Sequence, residues 1–581
     1  DSLRETARLK SSAGGSGQFV AIDQAFEASW NQLTDEERAA LAQCTVFVSG
    51  FAAGAALDVL RLPGHPGDAH REAVLQVLHR LRSRSLLRVS FPLKSDQARY
   101  GMYESIRARV LGRLPQEEGR AKKRHASWYL RLGETLGPAA ERGAAVLDLL
   151  ASERDNLMAA WEYWLGQGGD GVKQALRVVL ALDAVFLVRG PYGAHLSMLD
   201  AVLEKLKDPA DRAPGLEARA RVLLSRGRLK EAASDLEAVL AQSPFTPTAV
   251  DGSRQDWPAL GKSGGLSPEA AGRALAYLAS VRKQEGALAE AQELYERALT
   301  LLKETKDLRM QGRVYANMGA LAQEQGRLDD AEDLSAAALK LHRLAQDRRF
   351  EGVTLSNLAV LQQARGEWAA AEESCTNAIA VHRELGNRRS EGIAVTNFAD
   401  LERDRGNTAR AMALYRRAVV VHREVGNRRF EGVCLLNQAL LMLEQFTFEP
   451  AAEALDEALG LFHIVGDKRH AGLTLGARAA MRAKRGDADA GELDLRAARG
   501  LLGEKDVAFS SAVDVYRAQI ELSEAEALEL EKKSAEATKK RQAAAARIEA
   551  AVTRGPQGSL AERFEHVRMA LRVLKVWTER G

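Results

Sequence analysis

Asn317, Asn357, Asn397 and Asn437 stand at intervals of 40 residues, each inside a stretch with helical apolar spacing. A side-chain amide carries both donors and an acceptor, so a ladder of them can clamp the backbone of an extended peptide whatever its sequence. Asparagine is a poor helix former, and four in register need a reason. Either the amides face a ligand, or each ties neighbouring helices together by hydrogen bonds. Positions in the same frame flank the ladder: Arg313, Val353, Ile393 and Val433 before it, and Ala320, Val360, Asp400 and Leu440 after it. The surface they would form is mostly apolar. It suits a partly hydrophobic peptide or protein segment better than nucleic acid, and Arg403 with Asp400 could select charge locally.

Other clusters point away from chemistry. His342, His382 and His422 form a second column, but stacked helices sit ~8 to 10 Å apart, whereas zinc ligands must converge within ~2.1 Å of one ion. No metal is expected there. Gly261-Lys262-Ser263 has the tail of a phosphate-binding loop, yet Asp256 stands where GxxxxGK[ST] needs Gly, and a Pro/Gly loop surrounds it. The sequence holds no Ser/His/Asp set, no HExxH and no Cys with a convincing partner, so neither catalysis nor a cofactor is expected in this chain.

The elements that must position these residues follow the same 40-residue frame. Gly272, Gly312, Gly352, Gly392, Gly432 and Gly472 open successive units, the turn glycines Gly286, Gly326, Gly366, Gly406 and Gly486 recur within them, and Ala291, Ala331, Ala371, Ala411 and Ala451 follow. A further column is Ala298, Ala338, Ala378, Ala418, Ala458 and Ala498. Glycine supplies the positive φ that ends a helix, and alanine lets a partner helix come close. Each unit is therefore a helical hairpin that needs neighbours to bury its face. The columns resemble the tetratricopeptide repeat (TPR) in its kinesin-light-chain-like variety, over residues 268–506 as six units. The resemblance implies a right-handed α-solenoid whose concave face carries the Asn ladder. Residues 206–245 hold a divergent related hairpin with Gly227 at its turn, and 246–267 a Pro/Gly/Ser-rich loop insertion. In the unit at 428–467 Phe446 replaces the turn Gly, and Pro450 is tolerable only near the first turn of its helix.

Upstream, residues 1–18 read as a linker, with the Gly/Ser stretch Ser11 to Gly17. Thr34 and Glu37 form a capping box opening a helix through Arg38 to Leu41. Leu86–Phe91 and Arg99–Tyr103 read as two strands around a polar turn, followed by a helix from Ser105. Three helices plus a hairpin make a winged helix, over 19–112, with a helical connector at 113–205. Residues 19 to about 165 resemble the segment that follows the nucleotide-binding domain in bacterial STAND-type signal-transduction ATPases, including AfsR-like and LuxR-like regulators. Ala21-Ile22-Asp23 through Ser29-Trp30-Asn31-Gln32-Leu33, Thr45 to Phe51, Leu81 to Leu87, Tyr103-Glu104-Ser105-Ile106-Arg107, Arg124-His125-Ala126 and Glu153-Arg154-Asp155-Asn156-Leu157 carry that resemblance. It implies a lever packed on an upstream NTPase domain in cis and a repeat array that senses a protein or peptide ligand. ATP or ADP would bind the intact protein rather than this chain, and oligomerisation on activation is left open. Met102, Tyr103 and Glu104 match a Met-His-Asp-like motif whose His touches ADP. Tyr for His leaves nucleotide contact by Tyr103 against a reading as a strand-end core aromatic.

Bulk properties set the frame. A chain of 581 residues with 46% hydrophobic content can bury ample core, and residues 507–581 add C-terminal helices, with Leu522 to Thr553 rich in Ala, Glu and Lys and a last helix after Ser559. The net charge of +3, from 82 basic and 79 acidic side chains, offers no general field for nucleic acid or membrane. The pairs Arg348-Arg349, Arg388-Arg389, Arg428-Arg429 and Lys468-Arg469 are expected in local salt bridges rather than as a polyanion-binding edge, and the short cluster and the net charge argue against DNA contact by Arg80, Arg82, Arg84 and Arg88. Cys44, Cys375 and Cys434 are isolated, which fits a reducing compartment and a cytoplasmic location. There is no apolar run long enough for a bilayer and no signal peptide, and a start without Met points to a piece of a longer protein. The expected class is all-α: a TPR solenoid preceded by a small winged-helix domain, acting as a sensor, with a constitutive interaction scaffold or a DNA-binding regulator as alternatives.

Overall fold

A computed structural model describes residues 24–580 except 25, 66, 92–97, 141–142, 243–265, 503–506 and 554–559. The linker, Ala21-Ile22-Asp23, the polar turn between the two strands, Gly261-Lys262-Ser263 and nearly all of the loop insertion lie outside the described residues. The chain forms two compact units, residues 1–222 and 223–581.

In the first unit α1 (Asp35–Cys44) opens on the expected capping box. Thr34 Oγ1 accepts from the Glu37 amide at 3.2 Å, and Glu37 Oε2 accepts from the Thr34 amide at 3.0 Å. The chain continues through β1 (Phe51–Ala52), α2 (Ala53–Val59), α3 (Asp68–Ser83), β2 (Arg88–Ser90) and β3 (Arg99–Gly101). The strands form an antiparallel sheet in the order β1-β3-β2, with Tyr100 opposite both Phe51 and Val89. The two hairpin strands fall inside the segments expected for them, whereas β1 carries no alternating pattern of its own and exists because β3 offers it an edge.

After α4 (Glu104–Val110), helices α5 (Pro115–Ala140), α6 (Ala144–Ser152), α7 (Arg154–Gln167), α8 (Asp170–Ala181), α9 (Asp183–Arg189) and α10 (Tyr192–Lys205) form a bundle. A buried polar knot joins it to the sheet. Asn156, fully buried, accepts from the Val48 amide at 2.9 Å and donates to the Gly50 carbonyl at 2.8 Å and to Glu153 at 3.1 Å. Arg99 on β3 makes a two-pronged ion pair with the buried Glu153 and donates to the same Gly50 carbonyl at 3.0 Å. Glu153 and Asn156 are thus the residues that fasten the strands to the bundle.

Helix α11 (Pro209–Ser225) crosses the boundary between units, and α12 (Leu229–Leu240) packs on the start of the array. The repeats have first helices α13 (Pro268–Gln284), α15 (Leu308–Glu324), α17 (Arg348–Ala364), α19 (Arg388–Asp404), α21 (Arg428–Glu444) and α23 (Lys468–Lys484). Their second helices are α14 (Leu288–Glu304), α16 (Leu328–Leu344), α18 (Trp368–Glu384), α20 (Thr408–Glu424), α22 (Phe448–Val465) and α24 (Ala488–Leu501). Each first helix packs on its own second helix, and each second helix up to α22 on the next first helix. First helices also meet one another, as α15 meets α17 and α17 meets α19, which puts them on the inner, concave side of the bend. Beyond α24, α25 (Val507–Leu530) stacks on α23 and pairs with α26 (Ser534–Thr553) as a further hairpin, and a last helix, α27 (Leu560–Arg580), turns back onto the array.

The column opening with Gly272 has a packing role. These residues lie within first helices rather than at a left-handed turn. A Cβ at Gly312, Gly352 or Gly392 would stand 2.7 Å from the ring of His342, His382 or His422, and one at Gly432 would stand 2.8 Å from Phe462. The histidine column is therefore a set of buried spacers, each seated on a bare helix backbone. The true turn glycines are those such as Gly326 and Gly406, at φ +78° and +84°. At the equivalent turn Phe446 accepts φ +56°, and between repeats Lys306 and Gln346 do likewise at +58° and +54°. Asp307, Asp347, Asn387 and Asp467 cap the following helices through their side chains.

These packings generate two expectations. Gly352→Ala should destabilise the protein by about 1–3 kcal/mol through overpacking against His382, while Gln346→Gly, at an exposed left-handed position, should stabilise it by about 1 kcal/mol; urea midpoints check both. Burial pushes the His342, His382 and His422 imidazoles down to about 4, whereas an unfolded histidine titrates near about 6.5. The unfolded chain therefore takes up protons first, and stability should fall as pH drops from about 6.5 to about 4. His382→Leu, copying the residue at 302 and 502, should flatten that dependence in thermal melts run across the interval.

Candidate functional site: the concave face of the solenoid

Along the first helices the half-buried positions recur at i, i+4 and i+7: Val353, Asn357 and Val360 on α17, then Ile393, Asn397 and Asp400 on α19. This is the row that the inner side of the solenoid presents. The four asparagines divide on it. Asn317 donates to Ser280 Oγ of the preceding repeat at 3.2 Å, and Asn437, buried, donates to Asp400 Oδ1 at 3.0 Å. Both span 37 residues, so each Asn looks at the same position one repeat back. For Asn357 and Asn397 that position is Ala320 and Val360, which have no acceptor. Neither amide forms a hydrogen bond among the described residues. Two members of the ladder tie helices together, and two present unengaged amides at the centre of the array.

The charged residues expected on this face turn inward. Arg403 is only 2% exposed; it donates to Asp400 at 3.2 Å, to Tyr415 at 3.0 Å and to Asp404 at 3.4 Å. Tyr415 and Asn437 also bond the Asp400 carboxylate. Arg403 and Asp400 therefore form an inter-helix brace rather than a charge filter, because a buried guanidinium needs carboxylates around it. Arg313 is buried too, paired with Asp347 at 3.1 Å and lying 4.0 Å over the Phe350 ring. Apart from Asp400, whose carboxylate is engaged by Arg403, Tyr415 and Asn437, the half-buried row on α17 and α19 is uncharged: Val353, Asn357, Val360, Ile393 and Asn397.

Elsewhere the candidates are held locally. Arg348 pairs with Glu351 and Glu384, Arg388 with Glu391 and Glu424, and Arg429 with Asp467. In the first unit Arg80 pairs with Glu36 and Glu37, and Arg84 reaches the Gln32 carbonyl. Tyr103 precedes α4, 49% exposed, with the Arg88 guanidinium 5.4 Å over its ring. It is a surface residue, not a core aromatic. Among the described residues no helix is long and apolar enough to cross a membrane.

One set of groove-edge residues escaped the sequence. Glu444, the Leu443 and Arg403 carbonyls, Phe446 and Phe448 receive α27: Arg572 donates to Glu444 at 3.0 Å and to the Arg403 carbonyl at 2.6 Å, and Trp577 Nε1 donates to the Leu443 carbonyl at 2.9 Å. Trp577 also packs on the Phe446 and Phe448 rings, with centroids 6.5 and 6.2 Å away. The available signal was Phe446 itself, an aromatic where the repeat pattern asks for Gly.

The family model for the tetratricopeptide repeat matches residues 353–385 and 394–425, the hairpins that carry Asn357 and Asn397. The same hairpin, repeated at 40 residues from α13 to α24, makes the array a TPR solenoid. No curated protein matches the chain. Among solved structures it is similar to a Rap protein complexed with competence and sporulation factor, at 10% identity over 66% of this chain and 99% of that one, TM-score 0.44. It is also similar to the quorum sensor NprR from B. thuringiensis in its apo form, at 13% identity over 68% and 99%, TM-score 0.43. A STAND protein with a TPR sensor from Pyrococcus horikoshii aligns at 15% identity over 91% of this chain and 65% of that one, TM-score 0.38.

Proposed function

We propose that this chain is the sensor and regulatory region of a STAND-type signalling NTPase, and that its solenoid takes a protein or peptide segment on the concave face. The observation that carries the reading is the pair Asn357 and Asn397, whose amides stand without partners in an otherwise apolar row. Amides so placed would bond the ligand's backbone, and Val353, Val360 and Ile393 would take its apolar side chains. In this reading the first unit is a winged helix with a helical connector, and it relays ligand binding to an upstream ATPase in the cytoplasm. The chain itself acts by binding, without catalytic residues or a cofactor of its own. The buried knot of Arg99, Glu153 and Asn156 supports the relay, because it makes the sheet and connector move as one body. Arg80 and Arg84, already paired within the first unit, weigh against use of that unit on DNA.

The test is a pull-down from native lysate with the wild-type chain beside the N357A/N397A double variant. The expected result is loss of a partner from the double variant with its melting temperature unchanged, since neither amide is bonded. Equal recovery would remove the pair from recognition. Arg403→Met should behave oppositely, destabilising the fold by about 3 kcal/mol by leaving the half-buried Asp400 and Asp404 without their buried counter-ion, as a denaturant melt would record.

A further inference from the structure

Helix α27 is attached to the solenoid in an unusual way. It packs on α25 beside it, with Gln519 donating to the Ala570 carbonyl at 2.9 Å, yet it also reaches α21 and α15. A helix of 21 residues is roughly 30 Å long, the span of about three helix layers. It therefore lies across the inner helices rather than continuing the stack. Among its described side chains Val567, Met569, Ala570, Val573, Leu574 and Trp577 are buried, an amphipathic seam, while Lys575, Thr578 and Glu579 are exposed.

The surface beneath it has a definite chemistry. Arg403 and Leu443 lie in the last turns of α19 and α21, so their carbonyls belong to the negative ends of two helix dipoles, and the Glu444 carboxylate stands beside them. That cluster calls for a cation and an N–H donor, which Arg572 and Trp577 supply. Phe446 and Phe448 form an aromatic shelf under the indole. The fit is incomplete: a cavity of about 360 Å³ remains between α27 and the solenoid, lined by Trp368, Arg403, Asp404, Met569, Leu571, Arg572 and Lys575.

We propose that this edge of the concave face is a receptor for an amphipathic helix, that α27 is its built-in occupant, and that a partner's helix bearing an Arg and a Trp on its docking side displaces α27. This rests on the concave face being the binding surface, and it adds what binds there and what must leave first. The unfilled cavity favours an incoming helix with a larger side chain than Leu571 at the matching position.

The test uses the full chain and a fluorescent synthetic peptide of residues 560–581. With the R572A/W577A chain, whose own helix has lost its anchors, the peptide should bind at least about tenfold more tightly than with the wild-type chain. A peptide carrying Leu571→Phe should bind more tightly still, and adding Glu444→Lys to the chain should abolish the gain. Equal binding to both chains, or none to the variant while its circular dichroism matches wild type, would overturn the proposal. Should the variant fail to fold, hydrogen exchange on the wild-type chain decides instead: excess peptide must speed exchange at residues 567–579, and unchanged exchange overturns the proposal. These readouts do not depend on Asn357 or Asn397, so failure of the amide clamp and failure of the displaced helix are separable.

Discussion

The whole array hangs on one close approach, the contact of a bare glycine backbone in each first helix with the side chain at the end of its own second helix. At Gly312, Gly352 and Gly392 that side chain is a histidine, at Gly432 a phenylalanine, and at Gly272 and Gly472 a leucine. At Gly312, Gly352, Gly392, Gly432 and Gly472 a Cβ would come within 3.0 Å of that side chain, so the two helices of a hairpin lock at one separation, and repeating that separation sets the curvature along which the inner helices line up. Interiors are close-packed and transmit such constraints over many residues. An imidazole in this position must be neutral, which is why burial rather than a partner governs its titration.

Curvature then decides which polar groups are available. On the inner side each first helix sees its neighbour one repeat back, so the fate of every asparagine depends on a residue 37 positions earlier. Ser280 and Asp400 engage two amides; Ala320 and Val360 leave two unengaged. Asp400, with Arg403 and Tyr415, draws its surroundings into a satisfied buried network of the kind that rigidifies a scaffold. The rigid brace and the unengaged amides lie side by side on neighbouring first helices.

The first unit applies the same logic at smaller scale. Its sheet is too short to stand alone, and it is held by Asn156, Glu153 and Arg99, which join strand backbone to the helical bundle through bonds centred on the fully buried Asn156. Removing one member would leave an unsatisfied group in the interior.

Much of this was legible in the residues. The 40-residue period specified helical hairpins, the capping box at Thr34 and Glu37 formed as written, and Pro450 falls in the first turn of α22, because these features rest on local backbone chemistry and side-chain period. The Asn ladder's place on the concave face was an implication of the repeat resemblance, not of the period. Only the tertiary structure divided that ladder, buried Arg313 and Arg403, and gave the Gly272 column its close contacts, since each depends on what the adjacent helix brings near. The return of α27 was least legible: Arg572 and Trp577 find their partners 128 to 169 residues away, a separation that helical period does not encode. Period and capping act along the chain, and the sequence states them directly; hydrogen-bond partners and burial act across it, and exist only once the helices have stacked.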